Sequence, residues 1–124
     1  MTTPSITLYG IPNCDTVKKA RAWLTEAQVV VQFHDFKKQG VPADLLAQWV
    51  AQLGWEVLLN RKGTTWRKLN PTVQAGVHDG ASAQALMLAH PSVIKRPVVV
   101  WHPNSLHTVT VGFDVPTFTQ ALRG

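Results

Sequence analysis

The fold is decided by one stretch near the start of the chain, Ile6-Thr-Leu-Tyr-Gly-Ile-Pro-Asn-Cys14-Asp-Thr-Val-Lys-Lys-Ala-Arg-Ala-Trp-Leu24. Its beginning is apolar and β-prone, which predicts a short buried strand at residues 5–9. Pro12 fixes its own φ and lacks an N–H donor, so a turn is expected at residues 10–13. Apolar side chains then recur at helical spacing, namely Val17, Ala20, Leu24 and Ala27. The stretch therefore predicts a strand, a turn and a helix, with Cys14 at the junction of turn and helix.

The rest of the chain completes an α/β pattern. Residues 28–36 predict a second strand, parallel to the first and joined to it by a right-handed crossover. A break is expected at residues 37–42, helices at 43–53 and 79–90, and a basic loop with short turns at 60–71. Asp79 is the expected cap of the second of these helices.

The C-terminal part predicts a hairpin and a last helix. Residues 98–101 and 106–111 read as strands joined by a turn at 102–105, and Gly112 and Asp114 precede the helix. The expected fold class is α/β, a four-stranded mixed sheet (βαβ…ββα) with helices on its faces. We expect a single domain over residues 1–124, with a helical insertion at about residues 40–92.

Net charge, cysteine count and apolar runs limit which classes of protein this chain can belong to. With 12 Lys and Arg against 7 Asp and Glu, the net charge of +5 suits nucleic acid, an acidic partner or an anionic small molecule. A generally basic surface fits equally well, because no block of like charges occurs. A single cysteine excludes a disulfide scaffold. The sequence has neither a signal-peptide pattern nor an apolar run of ~20 residues, so a cytoplasmic protein without membrane contact is expected.

Cys14 is the candidate nucleophile. A lone cysteine is usually a small buried hydrophobe, but this one opens a predicted helix. Free N–H groups and the positive end of the helix dipole stabilise an anion there. Such a position lowers the pKa of a thiol from ~8.5 to roughly 3.5–7.5. It also favours an anion beside the sulfur.

Three segments together resemble a known family. They are Gly10-Ile-Pro-Asn-Cys14-Asp-Thr-Val-Lys-Lys-Ala20, Leu59-Asn-Arg61-Lys-Gly63 and Ile94-Lys-Arg96-Pro97-Val-Val99. Their order over nearly the whole chain is similar to the ArsC/Spx family, which includes arsenate reductases, the redox-sensing regulator Spx and YffB-like proteins. The Pro-Asn-Cys-Asp-Thr form is most similar to the YffB-like subgroup. The resemblance implies a thioredoxin/glutaredoxin-like fold with a helical insertion.

The resemblance also implies roles for individual residues. Arg61 corresponds to an arginine that contacts the substrate anion in arsenate reductases, and Arg96 to the arginine of an Arg-Pro pair whose proline is cis. Guanidinium groups bind oxyanions with forked hydrogen bonds, although solvated surface arginines are the alternative. Asn13 and Lys18 are further candidates for binding the thiol or anion, with a surface role as the commoner alternative for Lys18. Pro12 and Pro97 are expected to be structural, Pro97 at a strand start.

Two departures from the family affect the substrate. The arsenate reductases have a third arginine in the hairpin, where this chain has His102-Pro-Asn-Ser-Leu-His107-Thr-Val, and a histidine before the cysteine, where this chain has Gly10 or its neighbours. Both losses weaken anion binding and argue against arsenate. Spx regulators use a Cys-x-x-Cys switch, but Val17 occupies the second position here, so no internal disulfide can form.

The predicted function is a glutathione-dependent thiol/disulfide reductase related to arsenate reductase. Cys14 attacks an oxidised substrate and glutathione, a co-substrate and not a bound cofactor, resolves the adduct while its carboxylates contact Arg61, Arg96 and the helix start. The alternative is an Spx-like regulator that binds RNA polymerase without catalysis.

Other signals are weaker. The segment Arg61-Lys-Gly-Thr-Thr-Trp-Arg-Lys68 mixes basic and aromatic residues as nucleic-acid surfaces do, but no nucleic-acid motif accompanies it. The histidines lack metal-ligand spacing, so no metal is expected. They are His34, His78, His90, His102 and His107.

Overall fold

A computed structural model of the protein describes residues 6–101 and 108–123. These residues belong to two compact units: a sheet unit, made of residues up to 39 and from 96 onward, and a helical unit, Gly40–Lys95. Each unit is described by itself below. The single-domain organisation stays a prediction.

Within the described residues, strands and helices follow one another closely. In chain order they are β1 (Ile6–Gly10), α1 (Asp15–Glu26), β2 (Val31–Asp35), α2 (Phe36–Gln39), α3 (Ala43–Leu53), α4 (Trp55–Leu58), α5 (Thr64–Lys68), α6 (Pro71–Ala75), α7 (Gly80–Ala89), a 3-10 helix (Pro91–Val93), β3 (Val98–Trp101), β4 (Thr108–Val111) and α8 (Val115–Arg123).

The sheet has four strands in the order β2-β1-β3-β4. β1 pairs parallel with β2, and Gly10 lies opposite Asp35 at their carboxyl ends. β3 is antiparallel to both of its neighbours, β1 and β4. This arrangement confirms the predicted mixed sheet and the parallel pairing of the first two strands. It also brings the end of β1 next to the start of β3.

One apolar cluster joins the sheet to α1 and α8. Its buried members are Ile6, Leu8, Val17, Ala20, Leu24, Val99, Trp101 and Phe118. The residues from α1 recur every three or four positions, so one face of that helix is buried on the sheet, as predicted. Phe118 of α8 meets Trp101 of β3 edge-on, with ring centroids 4.9 Å apart. The cluster therefore holds α1 against the sheet along most of its length.

The helical unit contains two of the predicted helices. α3 has the predicted bounds, buries Leu46 and Trp49, and ends at Gly54, whose φ of 91° lies in the left-handed region. Asp79 is the N-cap of α7, as predicted, and its carboxylate accepts the N–H of Ser82 at 2.8 Å.

The second strand is shorter than predicted. β2 covers Val31–Asp35, whereas the expected strand was residues 28–36. Gln28 has a φ of 59°, which strand geometry excludes. Phe36 enters α2 because the Asp35 carboxylate accepts the N–H of Lys37 at 2.8 Å and so turns the chain. The predicted break at 37–42 is therefore wrong for residues 37–39.

The basic segment at 60–71 is also more regular than predicted. It contains α5, and Asn70 caps α6 by accepting the N–H of Thr72 at 2.8 Å. Leu59 makes an isolated antiparallel bridge with Ile94, a pairing that the insertion was not expected to contain. The predictions for residue 5 and for residues 102–107 lie outside the described residues.

No helix in the two described ranges combines the length and apolar character needed to cross a bilayer.

Candidate active site

Cys14 lies at the N-cap position of α1, with an extended backbone at φ −142° and ψ 123°. Between the end of β1 and Cys14 the chain passes through buried Ile11 and then an exposed bend at Pro12 and Asn13. The Cys14 side chain is half-buried and packs against the apolar cluster of the sheet unit. The bend and the helix thus place the sulfur at the carboxyl end of β1, partly open to solvent.

Backbone N–H groups of the first turn of α1 act on the sulfur. The sulfur makes no hydrogen bond of regular capping geometry. The N–H groups of Val17 and Thr16 nevertheless lower the pKa of the Cys14 thiol. Both belong to the first turn, where N–H groups have no partner within the helix. Their effect is therefore the stabilisation of negative charge at the sulfur.

Arg96 is the charged neighbour of Cys14. It precedes β3, and because Tyr9 of β1 lies opposite Val98 of β3, Arg96 comes beside the end of β1. Its Nε atom is buried, and the hydrogen bonding and positive charge of its guanidinium lower the pKa of the Cys14 thiol. Sheet pairing thus brings together two residues that lie far apart in the sequence.

Pro97, which follows Arg96, is held by a backbone contact with the residue after β4. The Arg96–Pro97 peptide bond is cis, in agreement with what the resemblance implied. Pro97 is buried, and its carbonyl oxygen accepts the N–H of Gly112 at 2.8 Å. These contacts tie the residue before β3 to the residue after β4.

The net effect on Cys14 is a pKa below that of an ordinary thiol. Burial is the largest single influence and raises the pKa. The Val17 N–H, the hydrogen bond and charge of Arg96, and the Thr16 N–H together outweigh it. A lowered thiol pKa increases the fraction of thiolate at neutral pH, and the thiolate is the reactive form.

Two other predicted site residues lie near Cys14 along the chain. Asn13 and Lys18 are both exposed. The N–H of Lys18 donates to the Cys14 carbonyl at 2.9 Å, which places Lys18 one helical turn along α1. Their roles in binding a thiol or an anion stay predictions.

Arg61 belongs to the helical unit. It lies in an exposed turn after Leu59, 3.9 Å from the Glu56 carboxylate and 5.7 Å from the centre of the Trp55 ring. Half of its side chain remains exposed, at 50%, so the ion pair leaves its guanidinium accessible. Its predicted contact with a substrate anion stays a prediction.

The backbone of Val17 has a part at the site that was not predicted from the sequence. Val17 was assigned to the core, which is correct, since the side chain is fully buried. Its backbone N–H is a separate feature that acts on the sulfur. The sequence signal was available, because the third residue after an N-cap regularly points its N–H at the cap side chain.

Among the residues that the structure describes, no group of three or more His, Cys, Asp and Glu side chains could hold a metal ion. His102 and His107 lie outside those residues.

Comparison with known proteins agrees with this architecture. The model of the ArsC family matches residues 9–120. An uncharacterised protein of Haemophilus influenzae is 37% identical over 116 residues, covering 94% of this chain and 97% of that protein. The global transcriptional regulator Spx of Bacillus subtilis is 26% identical over 98 residues, covering 77% of this chain and 72% of Spx.

Solved structures give the same result. A protein named YffB is 46% identical and superposes with a TM-score of 0.86, over 94% of this chain and 98% of YffB. An arsenate reductase (ArsC) related protein from Brucella melitensis is 44% identical with a TM-score of 0.73, over 100% and 99% of the two chains. Because the family model matches almost the full length and these structures share the fold, the chain belongs to the ArsC family and has its thioredoxin-like fold.

Proposed function

We propose that this protein is a glutathione-dependent thiol/disulfide reductase in which Cys14 is the nucleophile and glutathione the resolving thiol. One observation carries the proposal: the Cys14 sulfur lies at the start of α1, where the first-turn N–H groups and Arg96 lower its pKa. A structural cysteine needs neither feature. Each feature favours a cysteine that reacts as a thiolate at neutral pH.

The proposed reaction consists of two exchanges. The Cys14 thiolate attacks one sulfur of a substrate disulfide, the S–S bond breaks, and the second substrate sulfur departs as a thiolate that takes a proton from water. A glutathione thiolate then attacks the substrate sulfur of the mixed disulfide and regenerates the Cys14 thiolate. The product is a glutathione–substrate disulfide, which a second glutathione reduces in solution. Two glutathione molecules thus supply the two electrons.

An external thiol is needed because the chain has 1 cysteine. Glutathione is a fitting donor, since its carboxylates match a guanidinium and a helix start. We assign this contact to Arg96 and the first turn of α1, and Arg61 to a further contact that the family resemblance implies. A reducing compartment keeps glutathione and the thiol available, so we place the protein in the cytoplasm.

The substrate class we propose is a disulfide and not arsenate. The name of the Brucella melitensis relative supports a reductase of this general kind. The arginine that arsenate reductases carry in the hairpin has no counterpart in the sequence of residues 102–109. Fewer cations at the site favour a substrate with less charge than an oxyanion.

The test is turnover of a small model disulfide, such as hydroxyethyl disulfide, with glutathione and a glutathione reductase couple. Wild-type protein should show glutathione-dependent turnover, and Cys14→Ser should abolish it. Arg96→Ala should lower it about tenfold, whereas Arg67→Ala, which removes an exposed arginine of α5, should leave it unchanged. Turnover that persists in Cys14→Ser, or wild-type protein without turnover, would contradict the proposal.

A second candidate is a regulatory protein that binds RNA polymerase without catalysis. The similarity to a transcriptional regulator supports it. This alternative predicts that immobilised wild-type protein and Cys14→Ser retain purified RNA polymerase equally, with no glutathione-dependent turnover. Retention absent from both proteins would exclude it.

A further inference from the structure

Gly10 at the end of β1 lies unusually close to Val17 in the first turn of α1. A Cβ atom at Gly10 would lie 2.9 Å from Cγ2 of Val17, 3.7 Å from Cγ1 and 3.9 Å from Cβ. Real Cβ atoms essentially never approach another heavy atom within 3.0 Å. Gly10 is part of a strand and its φ is not positive, so backbone freedom does not explain the glycine. The close approach of the helix does.

Val17 cannot turn away from an added side chain. It is fully buried and belongs to the apolar cluster of the sheet unit. A β-branched residue in a helix keeps one strongly preferred χ1 rotamer, so rotation offers no escape. Dense packing leaves no space on the far side either. A Cβ at position 10 would therefore displace backbone.

The end of β1 is fixed more firmly than the start of α1. Gly10 is paired with Asp35 of β2, and Tyr9 with Val98 of β3, so sheet neighbours hold the strand from both sides. The start of α1 has no side-chain cap and follows an exposed bend. The displacement would thus fall on the first turn of α1.

We propose that Gly10 is a positioning residue for Cys14: its missing side chain lets Val17 pack against the end of β1, which holds the first-turn N–H groups of α1 at the sulfur. The N–H of Val17 itself is one of the groups that favour the thiolate. Gly10 touches no reacting atom and acts through Val17.

The measurement is the rate of alkylation of Cys14 by iodoacetamide as a function of pH. In Gly10→Ala the profile should move to higher pH, with a rate near neutral pH about threefold below that of wild type. At alkaline pH, where both thiols are ionised, the rates should converge. Glutathione is absent from the assay, so the result does not depend on the proposed reductase activity.

Val17→Ala provides the rescue. It removes both Cγ atoms that the new Cβ would meet and keeps the backbone N–H. The double variant Gly10→Ala/Val17→Ala should therefore have the same profile as Val17→Ala alone. If Gly10→Ala fails to fold, the double variant should recover the fold and show the alkylation profile of Val17→Ala.

Leu24→Ala is the control for stability. It removes a fully buried side chain near the other end of α1, so it should destabilise the protein and leave the alkylation profile unchanged. A wild-type profile in Gly10→Ala, a double variant that stays unfolded or whose profile differs from that of Val17→Ala, or an equal shift in Leu24→Ala would each overturn the positioning role.

Discussion

At the scale of the residue, Cys14 takes the N-cap position that Ser, Thr, Asp and Asn usually occupy. An oxygen there would stabilise the helix through a short hydrogen bond. The sulfur makes no bond of that geometry, and instead its own ionisation is favoured by the N–H groups and by Arg96. Cysteine at this position therefore stabilises the helix less than a capping oxygen would, while the pKa of its thiol is lowered.

Arg96 should control the pH at which Cys14 reacts. Burial raises the pKa of this thiol, so removal of the Arg96 hydrogen bond and charge leaves fewer groups to oppose it, and the pKa rises. In Arg96→Ala we expect alkylation near neutral pH to be about fivefold slower, with the profile moved to higher pH. Arg96→Lys should be intermediate, because it keeps the charge and loses the planar fork.

The matched control is Arg67→Ala, which removes the same charge from an exposed position on α5. It separates the local effect of Arg96 from the loss of overall positive charge. Identical profiles for Arg96→Ala and Arg67→Ala would mean that the guanidinium does not set the ionisation of Cys14.

Among the helices and strands, sequence patterns predicted the correct bounds where the local conformational preference agrees with the tertiary packing. α3 and β3 have the predicted bounds, because an amphipathic repeat and an apolar β-branched run leave little choice. The bounds of β2 were wrong because single contacts decided them, namely the left-handed Gln28 and the Asp35 carboxylate on the Lys37 N–H. Such contacts leave no periodic signal.

The cap of α7 should stabilise the helical unit. The Asp79 carboxylate accepts the Ser82 N–H at 2.8 Å, and the Ser82 hydroxyl accepts the Asp79 N–H at 3.1 Å. Asp79→Ala should therefore lower the urea concentration at the midpoint of unfolding, whereas Asp79→Asn keeps an acceptor oxygen and should lower it by less. Urea unfolding measures both values. Equal losses in the two variants would show that the carboxylate does not act as a cap.

In the molecule as a whole, the thiol and its arginine come from the two separate chain segments that form the sheet unit. Cys14 follows β1 and Arg96 precedes β3, and the antiparallel pairing of these strands brings them together. The sequence identified both residues, through the helix start and the family resemblance. The role of the Val17 N–H was missed although its position three residues after the N-cap indicates it. The close approach of α1 to Gly10 has no sequence signal, because packing sets that distance.

If the chain is a single domain, as predicted, its two compact units should unfold together. Leu46 is fully buried in α3, so Leu46→Ala should cost about 2–5 kcal/mol. If the chain unfolds as one domain, amide exchange should accelerate in α1 and β3 as much as in α3 and α7 under conditions of global opening. Hydrogen exchange followed by mass spectrometry resolves these segments. Faster exchange confined to Gly40–Lys95 would mean that two domains unfold separately.

The groups that surround Cys14 also affect the step in which its thiolate leaves a disulfide. Whatever stabilises a thiolate before it attacks also stabilises it when it is expelled, so a sulfur of lowered pKa is a good leaving group. A disulfide formed at Cys14 is therefore easily broken by an incoming thiol. The same N–H groups and the same guanidinium that make the bond quick to form make it short-lived.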